Sequence, residues 1–187
     1  MRMKSCVAAL LATAIVALPV GAAIKAMNLA QLMSITDNAV HGTIIAKQSI
    51  RVDAPWPNAV YTKLTIEGAS LRTGEVGTFE VVFHGSHDRR DDYIISEMPD
   101  LKDTRVGGEV VAFLEQDAPQ VAGLDVVHSW AGLYRVERGF GQAVVIGKGK
   151  GSAFPANTAL AEVNQRVLTT HADIAKLGKS PIPGRDK

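Results

Sequence analysis

Alternation of apolar and polar residues with a period of two constrains this chain more than any other feature. In AVHGTIIAKQSIRVD (39–53), Ile44, Ala46, Ile50 and Val52 share one parity and Lys47, Ser49 and Arg51 the other. That is the pattern of a strand with one face buried. AVYTKLTIEGASL (59–71) repeats it, with Val60, Thr62, Leu64 and Ile66 opposite Tyr61, Lys63 and Glu67. TFEVVFHG (78–85) sets Phe79, Val81 and Phe83 against Glu80, Val82 and His84, and GGEVVAFLEQD (107–117) predicts a fourth strand. GLYRVERGFGQAVVIG (132–147) reads as a hairpin in which Gly139 and Gly141 permit positive φ at the turn. APWPNA and Thr73-Gly74-Glu75-Val76-Gly77 supply reversals, while a long polar excursion runs from the third strand to residue 107.

Helical spacing is confined to the two ends of this region. Asn28 can cap a short helix carrying Leu29, Leu32 and Met33, which stops at Asp37-Asn38. Asn157 or Thr158 can cap a longer one over 157–177, with Leu160, Val163, Val167, Ile174 and Leu177 in one stripe and Gly178 and Pro181 beyond its end. Five to six strands in up-and-down order would leave apolar edges bare in a flat sheet. The expected fold is therefore mainly β: a small curved or closed β-barrel, OB-like, with a short N-terminal helix and a longer C-terminal helix over one face or mouth.

MRMK followed by the apolar run VAALLATAIVAL (7–18), Pro19 and the small residues Val20-Gly21-Ala22 has the layout of a secretory signal peptide. The run is shorter than the ~20 residues that a membrane span needs. Cleavage after Ala22 or Ala23 is predicted, and with it a periplasmic or secreted location. Taking 22 residues from 187 leaves 165, and the lone Cys6 goes with the leader. Losing Arg2 and Lys4 leaves 18 basic against 19 acidic side chains. That length suits one domain, read as 23–178 with 179–187 as a flexible tail. A thiol-free mature chain excludes disulfides, thiolate nucleophiles and zinc fingers. A near-neutral balance without a basic block argues against nucleic acid, and no transmembrane segment is expected after the leader.

The ordered segments MNLAQLMSITDNAV, HGTIIA, VYTKLTIEGASLRTG, HGS, VGGEVVAFLE and GLYRVERGFGQAVV lie between residues 27 and 145, within a likeness that covers roughly residues 27–175. In that order they resemble a family of uncharacterised exported bacterial proteins built on one small β domain. The resemblance implies a fold and assigns no catalytic residues. Where that pattern has a Gly-Gly pair after the third strand, this chain has His84-Gly85-Ser86.

Candidate chemistry concentrates in HGSHDRRDDY (84–93). His84, His87 and Asp88 are the candidate metal ligands, since imidazole and carboxylate suit a divalent cation. Against them, His84 shares a parity with Glu80 on the solvent side, Arg89 and Arg90 would repel a cation, and H-E-x-x-H is absent. A solvated, ion-paired loop is the expected reading. Ser86, His87 and Asp88 contain the residue types of a hydrolase trio, but adjacent side chains rarely converge and no G-x-S-x-G elbow exists. GKGKGS (147–152) lacks phosphate-loop spacing and reads as a connection. Glu67, Glu80, Glu109 and Glu115 raise the paired-carboxylate question; parity puts Glu67 and Glu80 on the outer faces of neighbouring strands. His41 and His128 have no evident companions, and His171 is expected half-buried beside the helix stripe.

No set of residues assembles a catalytic centre, so neither an enzyme nor a cofactor is expected. Trp56 between two prolines, Trp130 before a glycine, and Tyr93 are the candidate contacts for a ligand or partner. The first expectation is a noncatalytic exported binding or interaction module whose loops at 54–58, 85–107 and 118–131 meet an unknown protein or small ligand of the cell envelope. The alternatives are a partner or inhibitor of a secreted protease, and a metal-binding protein or hydrolase using His84, His87 and Asp88.

Overall fold

The computed structural model describes residues 26–53, 57–88, 93–115, 121–139 and 141–177. The expected leader, Trp56, Arg89 to Asp92 and the tail after 177 lie outside these residues. Helix α1 (Leu29–Ile35) leads directly into strand β1 (Thr36–Val52). Asn28 caps α1 as its sequence suggests: its side chain accepts from Gln31 N, and the Gln31 side chain answers on the Asn28 N–H. Strands β2 (Ala59–Ser70), β3 (Val76–His84) and β4 (Glu109–Glu115) follow, with a 3₁₀ turn at Leu101–Thr104 before β4. Then come β5 (Asp125–Val126), the one-turn helix α2 (Ser129–Gly132), β6 (Leu133–Gly139), β7 (Gln142–Val145), β8 (Thr158–Ala159) and α3 (Leu160–Leu177).

The fold is mainly β, with one curled sheet forming half a barrel and a C-terminal helix packed on it. Its order is β5-β3-β2-β1-β4-β6-β7-β8, so the described residues hold eight strands rather than five to six. Two of the extra strands, β5 and β8, are only two residues long, too short to leave a period in the sequence. The connectivity is not up-and-down either. The polar excursion after β3 crosses to the free edge of β1, so β1 pairs with both β2 and β4. β5 returns to lie parallel to β3. Just past it, Val127 bridges antiparallel to Leu114 of β4, drawing the curled edge towards the strand it would otherwise leave.

The first strand departs from its parity. Register shifts between Ile44 and Ala46, a bulge that sends every later residue to the other face. Val40 and Ile44 enter the barrel interior with Leu64, Ile66, Val81 and Phe83. Past the bulge Ala46 is exposed, and Ile50 and Val52 join Ala59, Tyr61, Val82 and Val121 in a separate outer cluster. Close approach of β1 to β2 depends on Gly42 facing Gly68, where a Cβ on either would run into the other strand's backbone.

A second core lies on the outer face of β4, β6 and β7. Phe113, Tyr134 and Phe154 meet there at ring separations of 5.2–6.3 Å, roofed by Leu32 and Met33 of α1 and Val163 and Val167 of α3. Both faces of β4 are therefore buried, as its unbroken Val110–Leu114 run requires. α3 begins later than its sequence suggests. Thr158 pairs in β8, and the Asn157 side chain accepts from Gly147 N–H instead of capping the helix. Gly141 takes positive φ (+79°) in the β6–β7 turn, whereas Gly139 is not needed for it.

Candidate functional site

Two arrangements of side chains stand out, one on either side of the loop 93–102. The first grows from the end of β3. Gly85 N–H donates to Val60 O and Thr62 Oγ1–H donates to Gly85 O, so the chain leaves β3 in a fixed direction. Gly85 has φ +94°, and a Cβ there would collide with the Met98 side chain, which plugs the barrel end. Glycine is the residue this backbone demands. Ser86 and Tyr93 then exchange a reciprocal pair of backbone hydrogen bonds, 3.0 and 3.1 Å, that closes the loop between them.

This closure stacks three rings. Tyr61 lies 5.0 Å from His84, and His84 lies 5.5 Å from Tyr93, centroid to centroid. Tyr61 is buried, against its predicted place on the polar face, because the outer cluster with Val121 and Val82 covers it. His84 is half-buried on the outer side of β3, and Tyr93 ends the file with 47% of its surface free. Beside it opens a shallow groove of about 650 Å³ walled by His87, Ile94, Met98, Pro99 and Leu101.

His84 is committed to its stack, and among the described residues no three His, Cys, Asp or Glu side chains converge as a metal set. Ser86 is buried, and its hydroxyl accepts from Asp88 N–H in a local turn. Glu67 and Glu80 are exposed, and Glu80 pairs with Lys63 at 2.9 Å.

The second arrangement was not legible in the sequence. Lys148, just past β7, is buried with 7% of its side chain exposed. Its ammonium donates to Trp130 O and lies 4.6 Å from the Trp130 ring centre and 5.1 Å from that of Tyr134. The carboxylate of Asp103, equally buried on the 3₁₀ turn, stands 3.7 Å away, and Arg135 Nε stands 3.7 Å from its other oxygen. These are ion-pair distances without hydrogen bonds. Burial pushes the Lys148 ammonium down to about 8 although Asp103 opposes the shift. Burial also raises the Asp103 carboxyl against the pull of Lys148 and Arg135. A partly enclosed cavity of about 250 Å³ opens onto them, bounded by Trp130, Ile146, Gly147, Asp100 and Lys102. Asp100 and Lys102 also line the first groove, so the two depressions share a rim.

Trp130 therefore belongs to this second site, and its N–H donates to Glu97 O, which ties the 94–102 loop to α2. Tyr93 and His87 belong to the first. The histidines read as companionless do have partners. His41 Nε2 lies 2.7 Å from Glu109, which also takes a two-pronged contact from Arg138. Burial alone would raise the Glu109 carboxyl, but those hydrogen bonds hold it below the usual range. His128 Nδ1 lies 2.6 Å from Glu115 at the other end of β4. Both pairs fasten β4 to its neighbours at the edges of the core. His171 is half-buried on α3, as expected.

No family model matches the chain, and neither a curated protein nor a solved structure matches it.

Proposed function

We propose that this is an exported, noncatalytic binding module that holds a neutral ring-bearing ligand, of the saccharide class, against Tyr93 and the adjoining groove. The observation that carries the reading is the file Tyr61–His84–Tyr93. A buried ring and a half-buried one hold, at tilts of 34° and 41°, a third that keeps 47% of its surface free, which is how an aromatic platform is kept in place at low entropic cost. Among the described residues the groove lining pairs Asp100 with Lys102 and carries no basic stripe, which favours an uncharged ligand over a polyphosphate backbone.

The topology supports the same reading. β1 paired to β2 and β4, β5 parallel to β3 and bridged onto β4, and a helical turn between β3 and β4 together resemble an OB-like barrel. In that architecture the face of the second and third strands and the loops joining strands one to two and four to five hold oligosaccharides or oligonucleotides. Here the described parts of those loops are Asp53, Pro57 and Asn58, and Val121 to Leu124, of which Val121 and Leu124 pack near Tyr61. Export rests on the leader-like residues 1–22.

The test is a titration of the full chain, made without its leader, with a panel of neutral oligosaccharides followed by NMR. Chemical-shift changes clustered at His84, His87, Tyr93 and Ile94 are expected for at least one of them. Tyr93→Ala should then weaken binding at least about fivefold, from the ~1–3 kcal/mol of one stacked ring, without altering the melting temperature. Shifts elsewhere only, or no binding at all, would refute the proposal.

A further inference from the structure

A second, independent function is written into the cavity beside α2. We propose that Lys148 is a nucleophilic amine that captures small aldehydes or ketones as an imine, with Asp103 as its proton shuttle and Trp130 as the wall that holds the carbonyl compound. It does not depend on the saccharide reading.

Four observations meet at one point. A lysine amine sits at the floor of a cavity large enough for a molecule of several heavy atoms. Trp130 and Ile146 give one wall of the cavity apolar surface among the charged Asp100, Lys102 and Asp103, so a small carbonyl compound has a ring to rest against beside the amine. A carboxylate buried to the same degree stands 3.7 Å from the amine, an ion-pair distance that a small shift of either side chain closes to the hydrogen-bond reach proton transfer needs. Burial weakens the ammonium, so far more of it is free amine near neutrality than of any surface lysine. The other lysines of this region differ: Lys102 on the rim is 61% exposed and paired with Asp100 at 3.6 Å.

The chemistry balances without a further reagent. Asp103 accepts a proton from the Lys148 ammonium, freeing the nitrogen lone pair. That pair attacks the carbonyl carbon, the C=O π pair moves to oxygen, and a proton passes from the now cationic nitrogen to that oxygen, which restores the nitrogen lone pair. The carbinolamine then expels its hydroxyl, protonated through Asp103, as water, and the nitrogen lone pair forms the C=N bond. Ammonium plus carbonyl gives iminium plus water, with the positive charge conserved and still facing Asp103. The reaction is neither an oxidation nor a reduction.

Reductive trapping tests it. The full chain is incubated at pH 7.5 with benzaldehyde and cyanoborohydride, and the sites of benzylation are mapped and timed by peptide mass spectrometry. Lys148 should be modified at least about tenfold faster than Lys102 or Lys176, given how much more free amine it holds. Asp103→Asn should slow the Lys148 adduct while leaving the others unchanged. Lys148→Arg, which keeps the cation over Trp130, should fold and lose only the fast site. Modification of Lys148 no faster than of the surface lysines overturns the proposal, as does a fast site that persists in Lys148→Arg.

Discussion

Burial of Lys148 and Tyr134 on neighbouring elements predicts an unusual alkaline stability profile. In the folded protein the Lys148 ammonium titrates near 8, against 10.5 when unfolded. Between those values the unfolded chain still holds the proton and the folded one has released it. Unfolding then takes up a proton, so stability climbs with pH. At about 1.4 kcal/mol per pH unit the full climb is about 3 kcal/mol. Tyr134 acts in the opposite direction. Its hydroxyl, buried beneath Ser152, Ala153 and Phe154, is pushed up to about 12 from 10. Above pH 10 the unfolded chain loses that proton first, so stability falls by about 3 kcal/mol towards pH 12. The curve should crest near pH 10, well above the range in which most domains are most stable. Urea unfolding at about pH 7.5, 9 and 10.5 reads it as a rise in midpoint of about 1–2 M, at a typical urea dependence for a chain of this size. Lys148→Met isolates the lysine: Asp103 keeps Arg135 3.7 Å away, and the rise between pH 8 and 10 should flatten. The Tyr134 descent should remain. Parallel slopes in the two proteins across that window would show that Lys148 is not buried as a cation, and the reasoning would fail.

Two packing predictions complement this one. Gly68→Ala places a methyl group against the backbone of His41 and Gly42, 2.5 Å from the Gly42 Cα, and should destabilise by at least about 3 kcal/mol in chemical denaturation; Gly74→Ala, in open space though at positive φ, should cost far less. Phe154→Ala removes the ring that meets Tyr134 at 5.2 Å and Phe113 at 6.3 Å, and a loss of about 3–5 kcal/mol is expected by calorimetry, together with an earlier alkaline transition as Tyr134 becomes accessible.

Period-two patterning found the long strands because each has one face against a core. Leu64 and Ile66, Phe79 through Phe83, and Val110 to Leu114 all lie where their parity puts them. It failed for Ile50 and Val52, since a bulge changes facing without changing spacing and leaves no mark in a list of residue types. It failed again for β5 and β8, which exist only because a neighbouring strand offers them a ladder. Of the candidate contacts, Trp130 lines a depression, Tyr93 stands against His84 next to a groove residue, Ile94, and Trp56 lies outside the described residues.

Lys148 and Asp103 escaped notice for a different reason. A lysine between glycines and an aspartate in a charged excursion both have the composition of solvated loops. Met98 changes that: entering the barrel end, it pulls the residues after it against β6, and Asp103 and Thr104 are carried inside with them. The glycines flanking Lys148 let the chain fold back under Trp130, with Gly149 at φ +87°. An ion pair assembled this way costs desolvation that its 3.7 Å separation only partly returns, so it is a poor device for stability alone. The alkaline profile and the trapping experiment therefore ask separate questions of one side chain. A stability rise with no fast adduct would leave Lys148 as a clamp between the 3₁₀ turn and α2. The two results together, a rise and a fast adduct lost in Lys148→Arg, require an amine that is both desolvated and reachable, and only a cavity open to small molecules meets both conditions.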